Sequence, residues 1–308
     1  MISKGSLITP LNISNLHRVK PILFDVSLRD GIQNAKLENY PTERKKTVFH
    51  DILQYGSPTN LEIGSLANPN ILPIMADTME LFEYVTDFFD KIDRKQRKKV
   101  YVLIPSIKRL EYAIQNNIRH MSFITSVSDA FQKKNTNRSI EETKCDFKQM
   151  FLRLNGEPGS QKFVKKLYIS CIDTCPILGK IDIDHIVNEI FYYTDFSFDE
   201  LCISDTCGEL LFENFKEIIE KCIVLGISLT RFSVHLHVSP EKRENIEKIL
   251  FYCFSIGIHK FDVSYLETGG CSVTMDSPHA NLSYELFHET LQKYERTVCE
   301  KLNEINFL

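Results

Sequence analysis

The chain contains 308 residues, of which 43% are hydrophobic and 25% are charged, and its formal net charge at pH 7 is −4. This length is sufficient for a sizeable core, and the composition is ordinary for a globular protein. The slightly acidic balance gives no electrostatic reason to expect nucleic acid or an acidic membrane as a partner. No stretch reaches the roughly 18 consecutive apolar residues of a membrane span, so we expect no transmembrane segment.

Nine cysteines are scattered between Cys145 and Cys299, and none of them forms a Cys-x-x-Cys pair. The N-terminal segment has no apolar signal core and is not rich enough in arginine for a transit peptide. This pattern favours reduced thiols over a disulfide framework or a zinc knuckle, and it predicts a cytoplasmic protein.

Eight short runs rich in apolar and β-branched residues recur along the chain and predict strands. They cover residues 21–28, 59–66, 99–104, 120–125, 165–172, 200–205, 232–238 and 259–266. A helix-like segment follows each run, over residues 42–55, 76–92, 106–116, 139–154, 182–193, 211–225, 240–255 and 278–303. Proline or an N-cap residue opens several of these segments, as in "PTERKK" and "SIEETK".

Eight alternating βα units over about 250 residues fit an α/β fold of the (β/α)8 TIM-barrel type better than a doubly wound sheet. A dinucleotide-binding sheet would require a Gly-x-Gly-x-x-Gly turn after the first strand, whereas "LRDGIQNAK" at this place holds one glycine. We therefore predict a short N-terminal extension over residues 1–20. A single barrel with a C-terminal helix is predicted over residues 21–308.

The chemistry of a TIM barrel lies at the C-terminal ends of its strands. The polar residues at these predicted ends are Arg29 and Asp30, Glu62 and Ser65, Ser170 and Cys171, Asp205 and Thr206, His235 and His237, and Glu267 and Cys271. His235 and His237 in "SVHLHV" are two residues apart, so a strand would direct both imidazoles to one face. Two imidazoles and a carboxylate from the opposite side of the mouth can form a metal site with open positions.

A series of motifs in chain order resembles the 3-hydroxy-3-methylglutaryl-CoA (HMG-CoA) lyase family, which is part of the metal-dependent DRE-TIM lyases and synthases. The motifs are "SLRDGIQNAK", "LEIGSLANPNILPIMADTMEL", "SVSDAFQKKNTNRSIEET", "YISCIDTCPILGK", "SDTCGEL", "HLH", "GGC" and "ANLSYE". The resemblance extends from residue 21 to residue 290. A single "RDG" or "HxH" is weak evidence, whereas the ordered series is specific.

The resemblance implies a divalent metal, Mg²⁺ or Mn²⁺, with four protein ligands, namely Asp30, His235, His237 and Asn281. A mixed set of carboxylate, imidazole and amide oxygen ligands is chemically suited to these ions. It also implies retro-Claisen cleavage of HMG-CoA, or of a close 3-hydroxyacyl-CoA, to acetyl-CoA and acetoacetate. Barrels of this family form dimers, so the resemblance also favours a homodimer.

The resemblance also implies roles for residues around the metal. Arg29 would neutralise the developing enolate oxygen, and Cys271 would transfer a proton from a glycine-rich loop. Glu62 and Asp205 are expected to be catalytic polar residues near the metal and the substrate. Residues expected to contact the acyl-CoA substrate are Gln33, Lys36, Ser65, Asn135 and Thr206.

The sequence departs from the family pattern around the substrate. Val238 replaces the acid that follows the second histidine in the family, and if that acid orients an imidazole its loss weakens metal binding about 10–100-fold. The loop "ETGGCSV" is also altered. Two alternatives therefore stay open: a related synthase that condenses acetyl-CoA with a keto acid, and a non-catalytic barrel that binds acyl-CoA. Taken alone, Asp205 could equally cap the following turn.

Overall fold

Eight parallel strands form a closed barrel in the computed structural model, which describes residues 20–159, 162–270 and 279–306. The strands are β1 (Ile22–Asp25), β2 (Asn60–Ser65), β3 (Lys99–Leu103), β4 (His120–Ser126), β5 (Val164–Ser170), β6 (Glu200–Ser204), β7 (Phe232–His235) and β8 (Lys260–Val263). Strand β1 pairs with both β2 and β8, which closes the barrel. The predicted (β/α)8 fold is confirmed.

The α-helices that surround the barrel in the described ranges are numbered in chain order. They are α1 (Thr42–Asp51), α2 (Thr78–Asp90), α3 (Ile107–Gln115), α4 (Asp129–Thr136), α5 (Ile140–Asn155), α6 (Ile183–Tyr192), α7 (Phe212–Val224), α8 (Arg243–Ile256) and α9 (Tyr284–Asn306). In these ranges no helix is both long and apolar enough to cross a membrane. Every cysteine of the same ranges is a free thiol. The predicted extension, residues 1–20, lies almost entirely outside the described residues, so its boundary stays a prediction.

Helix α4, in the loop after β4, was not predicted from the sequence. It begins at a local cap, where the Ser128 hydroxyl accepts a hydrogen bond from the Phe131 amide. It ends at Asn137, whose φ of 55° is left-handed, and α5 begins just beyond at a capping box formed by Ser139 and Glu142. The segment is short and polar, so its helical periodicity is weak.

The first predicted strand, residues 21–28, is too long at its C-terminal end. The carboxylate of Asp25 accepts hydrogen bonds from the amide and the hydroxyl of Ser27, at 2.9 and 3.0 Å, and these bonds turn the chain. Residues Ser27–Gly31 form a π-helical turn instead. This turn places Arg29 and Asp30 over the C-terminal mouth of the barrel.

The seventh predicted strand, residues 232–238, is interrupted at Leu236. The part up to His235 belongs to the barrel, whereas His237–Val238 pairs antiparallel with Ala280–Asn281. His237 is directly opposite Asn281 in this small sheet. The interruption therefore brings together two residues that are 44 positions apart in the sequence.

Helix α9 is fixed to the barrel at its first residue. The hydroxyl of Tyr284 donates a 3.0 Å hydrogen bond to Asp25, and its ring packs on Gly56, where a Cβ would lie 2.6 Å from Tyr284 Cζ. Asp25 is buried, and burial raises its pKa to about 7 against the opposing effect of hydrogen bonds from Ser27 and Tyr284.

We expect Gly64→Ala to lower the free energy of unfolding by about 1–3 kcal/mol, because overpacking a dense core is costly. A Cβ at Gly64 would lie 2.8 Å from Thr78 Cγ2. Thr78 cannot retreat easily, since its hydroxyl is bonded to the backbone of Ser65 and of Met75. Urea denaturation measures the change. Gly156→Ala, where the nearest atom is 3.5 Å away, is the control, and equal stability of the two variants would contradict the prediction.

We expect the stability of the protein to depend on pH through Asp25. Its pKa is 3.8 in the unfolded chain and about 7 in the folded chain, so the folded state binds more protons between these values. The free energy of unfolding should consequently fall as the pH rises through this window. Asp25→Asn should remove part of that fall. Urea denaturation of both proteins at about pH 5 and about pH 7.5 tests this, and parallel pH dependences would refute it.

Candidate metal and substrate site

A cavity opens at the C-terminal mouth of the barrel, where the polar strand ends converge. Its lining consists of Arg29, Asp30, Gln33, Ile124, Phe131, Asn135, Tyr168, Ser170, Ser204, Thr206, His235, His237 and Gly270. Seven of these residues were predicted from the sequence as ligands, catalytic residues or substrate contacts. The cavity therefore brings these seven predicted residues together, while their roles stay predictions.

Three buried side chains on the cavity wall are arranged as metal ligands. One ligand atom from each of Asp30, His235 and His237 lies within 4.8 Å of the others. The Nε2 atom of His237 is 3.4 Å from Asp30 Oδ2, and that of His235 is 4.0 Å from the same oxygen. His237 Nε2 is buried and has no hydrogen-bond partner. The group thus presents two ring nitrogens and a carboxylate to one small space.

Both imidazoles are oriented through their Nδ1 atoms. His237 Nδ1 lies 2.6 Å from the backbone oxygen of Asp205, and His235 Nδ1 lies 3.2 Å from Asp262 Oδ2. A carbonyl oxygen only accepts, so in the neutral ring the proton of His237 is on Nδ1 and the Nε2 lone pair faces Asp30. Such partners at the far nitrogen are typical of metal-ligating histidines. Val238 takes no part, since it pairs with Ala280 and both Nδ1 atoms are satisfied elsewhere.

The electrostatics of this group favour a positive charge between its ligand atoms. Burial works to raise the pKa of Asp30, but Arg29 and the two imidazoles hold it well below its usual range. Burial lowers the pKa of His235. It works in the same direction on His237, yet the adjacent Asp30 carboxylate raises the pKa of that imidazole. A cation is stabilised in such an environment, where an ionised carboxylate faces two buried nitrogens.

Asn281 lies beside His237 in the small antiparallel sheet. Its amide nitrogen donates to the backbone oxygen of Thr268 at 3.1 Å, whereas its buried Oδ1 has no partner. The backbone approaches this side chain closely, because a Cβ at Gly269 would lie 2.7 Å from Asn281 Cγ. Three groups here are hard or borderline donors that fit Mg²⁺ or Mn²⁺, namely Asn281 Oδ1, His237 Nε2 and the Asp30 carboxylate. The predicted ligand role of Asn281 stays a prediction.

Arg29 is held in a buried network on the other side of Asp30. Its Nε donates to Glu62 Oε2 and its Nη1 to Asp30 Oδ1, each at 2.6 Å. The guanidinium carbon lies 4.8 Å from the ring centroid of Tyr168, whose hydroxyl donates to the same Glu62 oxygen at 2.9 Å. Burial works to lower the pKa of Arg29, but the two carboxylates hold it well above its usual value. Arg29 is therefore a fixed positive charge at the cavity.

The loop after β8 is attached to the turn after β1. The Gly270 amide donates to Asp30 Oδ2 at 3.1 Å, and its carbonyl accepts from Gln33 Nε2 at 2.8 Å. Gln33 Nε2 also donates to Asp30 Oδ1. Gly269 and Gly270 have φ values of 149° and 80°, which favour glycine. Cys271, the predicted proton-transfer residue, follows directly in the sequence and lies outside the described residues.

The remaining predicted residues are distributed between the cavity and its surroundings. Gln33, Asn135 and Thr206 line the cavity, whereas Lys36 is exposed and is not part of the lining. Ser65 is buried, and its hydroxyl accepts from the Ala67 amide. Their contacts with a substrate stay predictions.

Asp205 is engaged with its own turn. Its carboxylate accepts from the amides of Cys207, Glu209 and Leu210 at 3.2–3.4 Å, and burial raises its pKa to about 6. Its backbone connects to the ligand group twice, because its carbonyl accepts from His237 Nδ1 and its amide donates to the His235 carbonyl at 2.9 Å. The carboxylate thus caps the turn, which was the structural alternative, while its catalytic role stays a prediction.

Two residues of the site, Tyr168 and Asp262, were missed in the sequence. Both lie at inward positions of predicted strands, and Asp262 in "HKFDVSYL" is a charged residue within an apolar run. That contrast was the available signal, because an unpaired charge in a core is rare. Lys166 in "KKLYISCI" carries the same signal and forms an ion pair with Asp262.

Comparisons with known proteins identify a family and several relatives of this chain. A family model described as HMGL-like matches residues 20–239. The hydroxymethylglutaryl-CoA lyase YngG of Bacillus subtilis is 24% identical over 252 residues, which are 82% of this chain and 79% of that protein. A 3-hydroxy-3-isohexenylglutaryl-CoA/hydroxymethylglutaryl-CoA lyase of Pseudomonas aeruginosa is 26% identical over 81% of this chain and 77% of its own. An (R)-citramalyl-CoA lyase of Chloroflexus aurantiacus is 23% identical over 81% and 76%.

Solved structures support the fold. The HMG-CoA lyase of Brucella melitensis superimposes with a TM-score of 0.73 at 20% identity, over 89% of this chain and 90% of that one. An HMG-CoA lyase of Acinetobacter baumannii in complex with coenzyme A and 3-methylmalate gives 0.71 at 20% identity, over 90% of each chain. Together with the family match, these findings confirm the resemblance. The chain belongs to the HMGL-like family and is an enzyme of the carbon–carbon lyase class.

Proposed function

We propose that this enzyme cleaves HMG-CoA, or a close 3-hydroxyacyl-CoA, to acetyl-CoA and a 3-keto product, which is acetoacetate for HMG-CoA. The observation that carries the proposal is the convergence of Asp30, His235 and His237 on one space beside Arg29. Asp30, His235, His237 and Asn281 would hold a divalent cation, Mg²⁺ or Mn²⁺. When bound, such an ion acts as a Lewis acid that lowers the pKa of the substrate hydroxyl and orients the substrate.

Arg29 is placed to stabilise the charge that develops during cleavage. The tertiary hydroxyl loses its proton to water, and its oxygen becomes the ketone carbonyl as the C2–C3 bond breaks. The electron pair of that bond forms the enolate of the thioester. Glu62 and Asp30 engage the Nε and Nη1 donors of Arg29, which leaves further N–H groups of the planar guanidinium for an enolate oxygen. A fixed donor in a water-poor site stabilises such an oxyanion strongly. Cys271 would return a proton to C2 of the enolate.

The cavity lining and the relatives indicate a class of acyl group rather than one particular acyl group. Ile124 and Phe131 form an apolar part of the cavity, and the hydroxyls of Ser170, Ser204 and Thr206 line another part. The relatives are named as lyases of hydroxymethylglutaryl-CoA, 3-hydroxy-3-isohexenylglutaryl-CoA and (R)-citramalyl-CoA, and a structural relative was solved with coenzyme A and 3-methylmalate. We therefore propose a 3-hydroxyacyl-CoA as the substrate class. The cytoplasmic location and the homodimer stay predictions.

Cleavage should depend on the divalent cation and on Asp30. Purified protein with HMG-CoA and Mg²⁺ or Mn²⁺ should release acetyl-CoA and acetoacetate, and EDTA should abolish the release. Asp30→Asn should lose cleavage by orders of magnitude, because it removes a charged ligand and leaves Arg29 with one carboxylate fewer. (R)-Citramalyl-CoA, assayed in parallel, discriminates between substrates. Cleavage that persists in EDTA would contradict the metal-dependent mechanism, and metal-dependent cleavage of citramalyl-CoA alone would reassign the acyl group.

Arg29→Lys should lower kcat about 100–1000-fold, which is typical for the loss of one oxyanion donor. Lysine keeps the charge but lacks the planar set of N–H groups that reaches Glu62, Asp30 and the substrate together. Binding of Mn²⁺ should change little, since Arg29 is not a ligand. Steady-state kinetics and metal titration of the same preparation measure the two effects. A large loss of metal affinity with unchanged kcat would reverse this assignment.

A further inference from the structure

A chain of buried charges continues from the ligand group into the barrel. His235 on β7 contacts Asp262 on β8, and the other oxygen of Asp262 accepts a hydrogen bond from Lys166 on β5. Lys166 Nζ also lies 3.1 Å from Glu200 Oε1. The side chains of Lys166 and Asp262 are each 1% exposed. Four strands therefore connect one imidazole of the site to a buried ion pair.

Stability alone does not explain this ion pair. Removing two charges from water is expensive, and apolar residues of similar volume usually serve a core equally well or better. Lys166 has an aromatic environment as well, since its Nζ lies 3.8 Å from the ring centroid of Phe24. An ammonium group only donates, so the Asp262 oxygen that faces Lys166 serves as an acceptor. The other carboxylate oxygen of Asp262 is then left to accept a hydrogen bond from His235 Nδ1.

We propose that Asp262, oriented by Lys166, is a positioning residue that fixes His235 in the tautomer with its proton on Nδ1. The Nε2 lone pair then faces Asp30, which sets the affinity of the site for a divalent cation. The effect on cation affinity rests on the proposed function, whereas the tautomer of His235 does not. His237 needs no positioning side chain, since the backbone carbonyl of Asp205 fixes its tautomer.

Asp262→Asn should reverse the tautomer of His235. Lys166 donates only, so the asparagine oxygen must turn to Lys166 and its NH₂ group must face His235 Nδ1. That nitrogen then becomes the acceptor, and the proton moves to Nε2, where it blocks the ligand position. In the double variant Lys166→Met/Asp262→Asn no lysine needs the side-chain oxygen of the asparagine as an acceptor. That oxygen can then face His235 again. Part of the original arrangement should therefore return.

The test uses full-length, metal-free protein labelled with ¹⁵N-histidine, and NMR reports the tautomer of His235 at a pH where it is neutral. The signal should indicate protonated Nδ1 in the unmodified protein, protonated Nε2 in Asp262→Asn, and partial return in the double variant. Titration with Mn²⁺, followed by the free-ion EPR signal, should give a Kd about 10–100-fold higher for Asp262→Asn. Cys202→Ala is the control, because Cys202 contacts Asp262 at 3.8 Å but not His235, and it should leave tautomer and Kd unchanged.

The outcomes separate this inference from the proposed function. An unchanged His235 tautomer in Asp262→Asn, with circular dichroism showing a folded protein, would overturn the inference. An equal loss of Mn²⁺ affinity in Cys202→Ala would overturn it too, since general loosening of the core would then be the cause. If the tautomer reverses as expected but the unmodified protein binds no Mn²⁺, the positioning role holds and the metal-dependent function fails.

Discussion

The ionised carboxylate of Asp30 is the constraint on which the site depends. It lies against the Arg29 guanidinium, near both imidazoles and under the amide of Gly270, so one buried charge organises three separate segments. Its position follows from a local event in the chain. Asp25 binds Ser27, the strand ends early, and the resulting turn presents Arg29 and Asp30 side by side to the cavity. Arg29 in turn keeps the carboxylate charged where burial alone would neutralise it.

The two histidines illustrate two ways of preparing a ligand. The backbone oxygen that orients His237 belongs to Asp205, whose own carboxylate fixes the turn around it. His235 relies on a side chain, Asp262, and therefore on whatever orients that side chain. This division also accounts for Val238. An acid after the second histidine is dispensable for orientation, because the Nδ1 atoms of His235 and His237 already have hydrogen-bond partners. The departure from the family pattern therefore leaves the geometry of the ligand group intact.

The sequence predicted the barrel because alternating βα segments have few other solutions. It also indicated where a candidate site would lie, because the chemistry of such barrels is found at the C-terminal strand ends. It could not predict where β1 and β7 stop. The first boundary depends on a side-chain bond at Asp25, and the second depends on pairing of His237–Val238 with a segment more than 40 residues away. Tyr168 was missed for a related reason. An inward aromatic residue in a strand is indistinguishable from core until its hydroxyl is seen to reach Glu62.

The balance of charge around the cavity links the structure to its chemistry. The carboxylates of Asp30 and Glu62 both contact Arg29, so together they carry one negative charge more than that guanidinium. A divalent cation at the ligand group would change the sign of that excess and leave one positive charge facing the cavity. An enolate carries a single negative charge. The buried ion pair of Lys166 and Asp262 would therefore contribute to orientation without altering this balance, because its two charges cancel at the site.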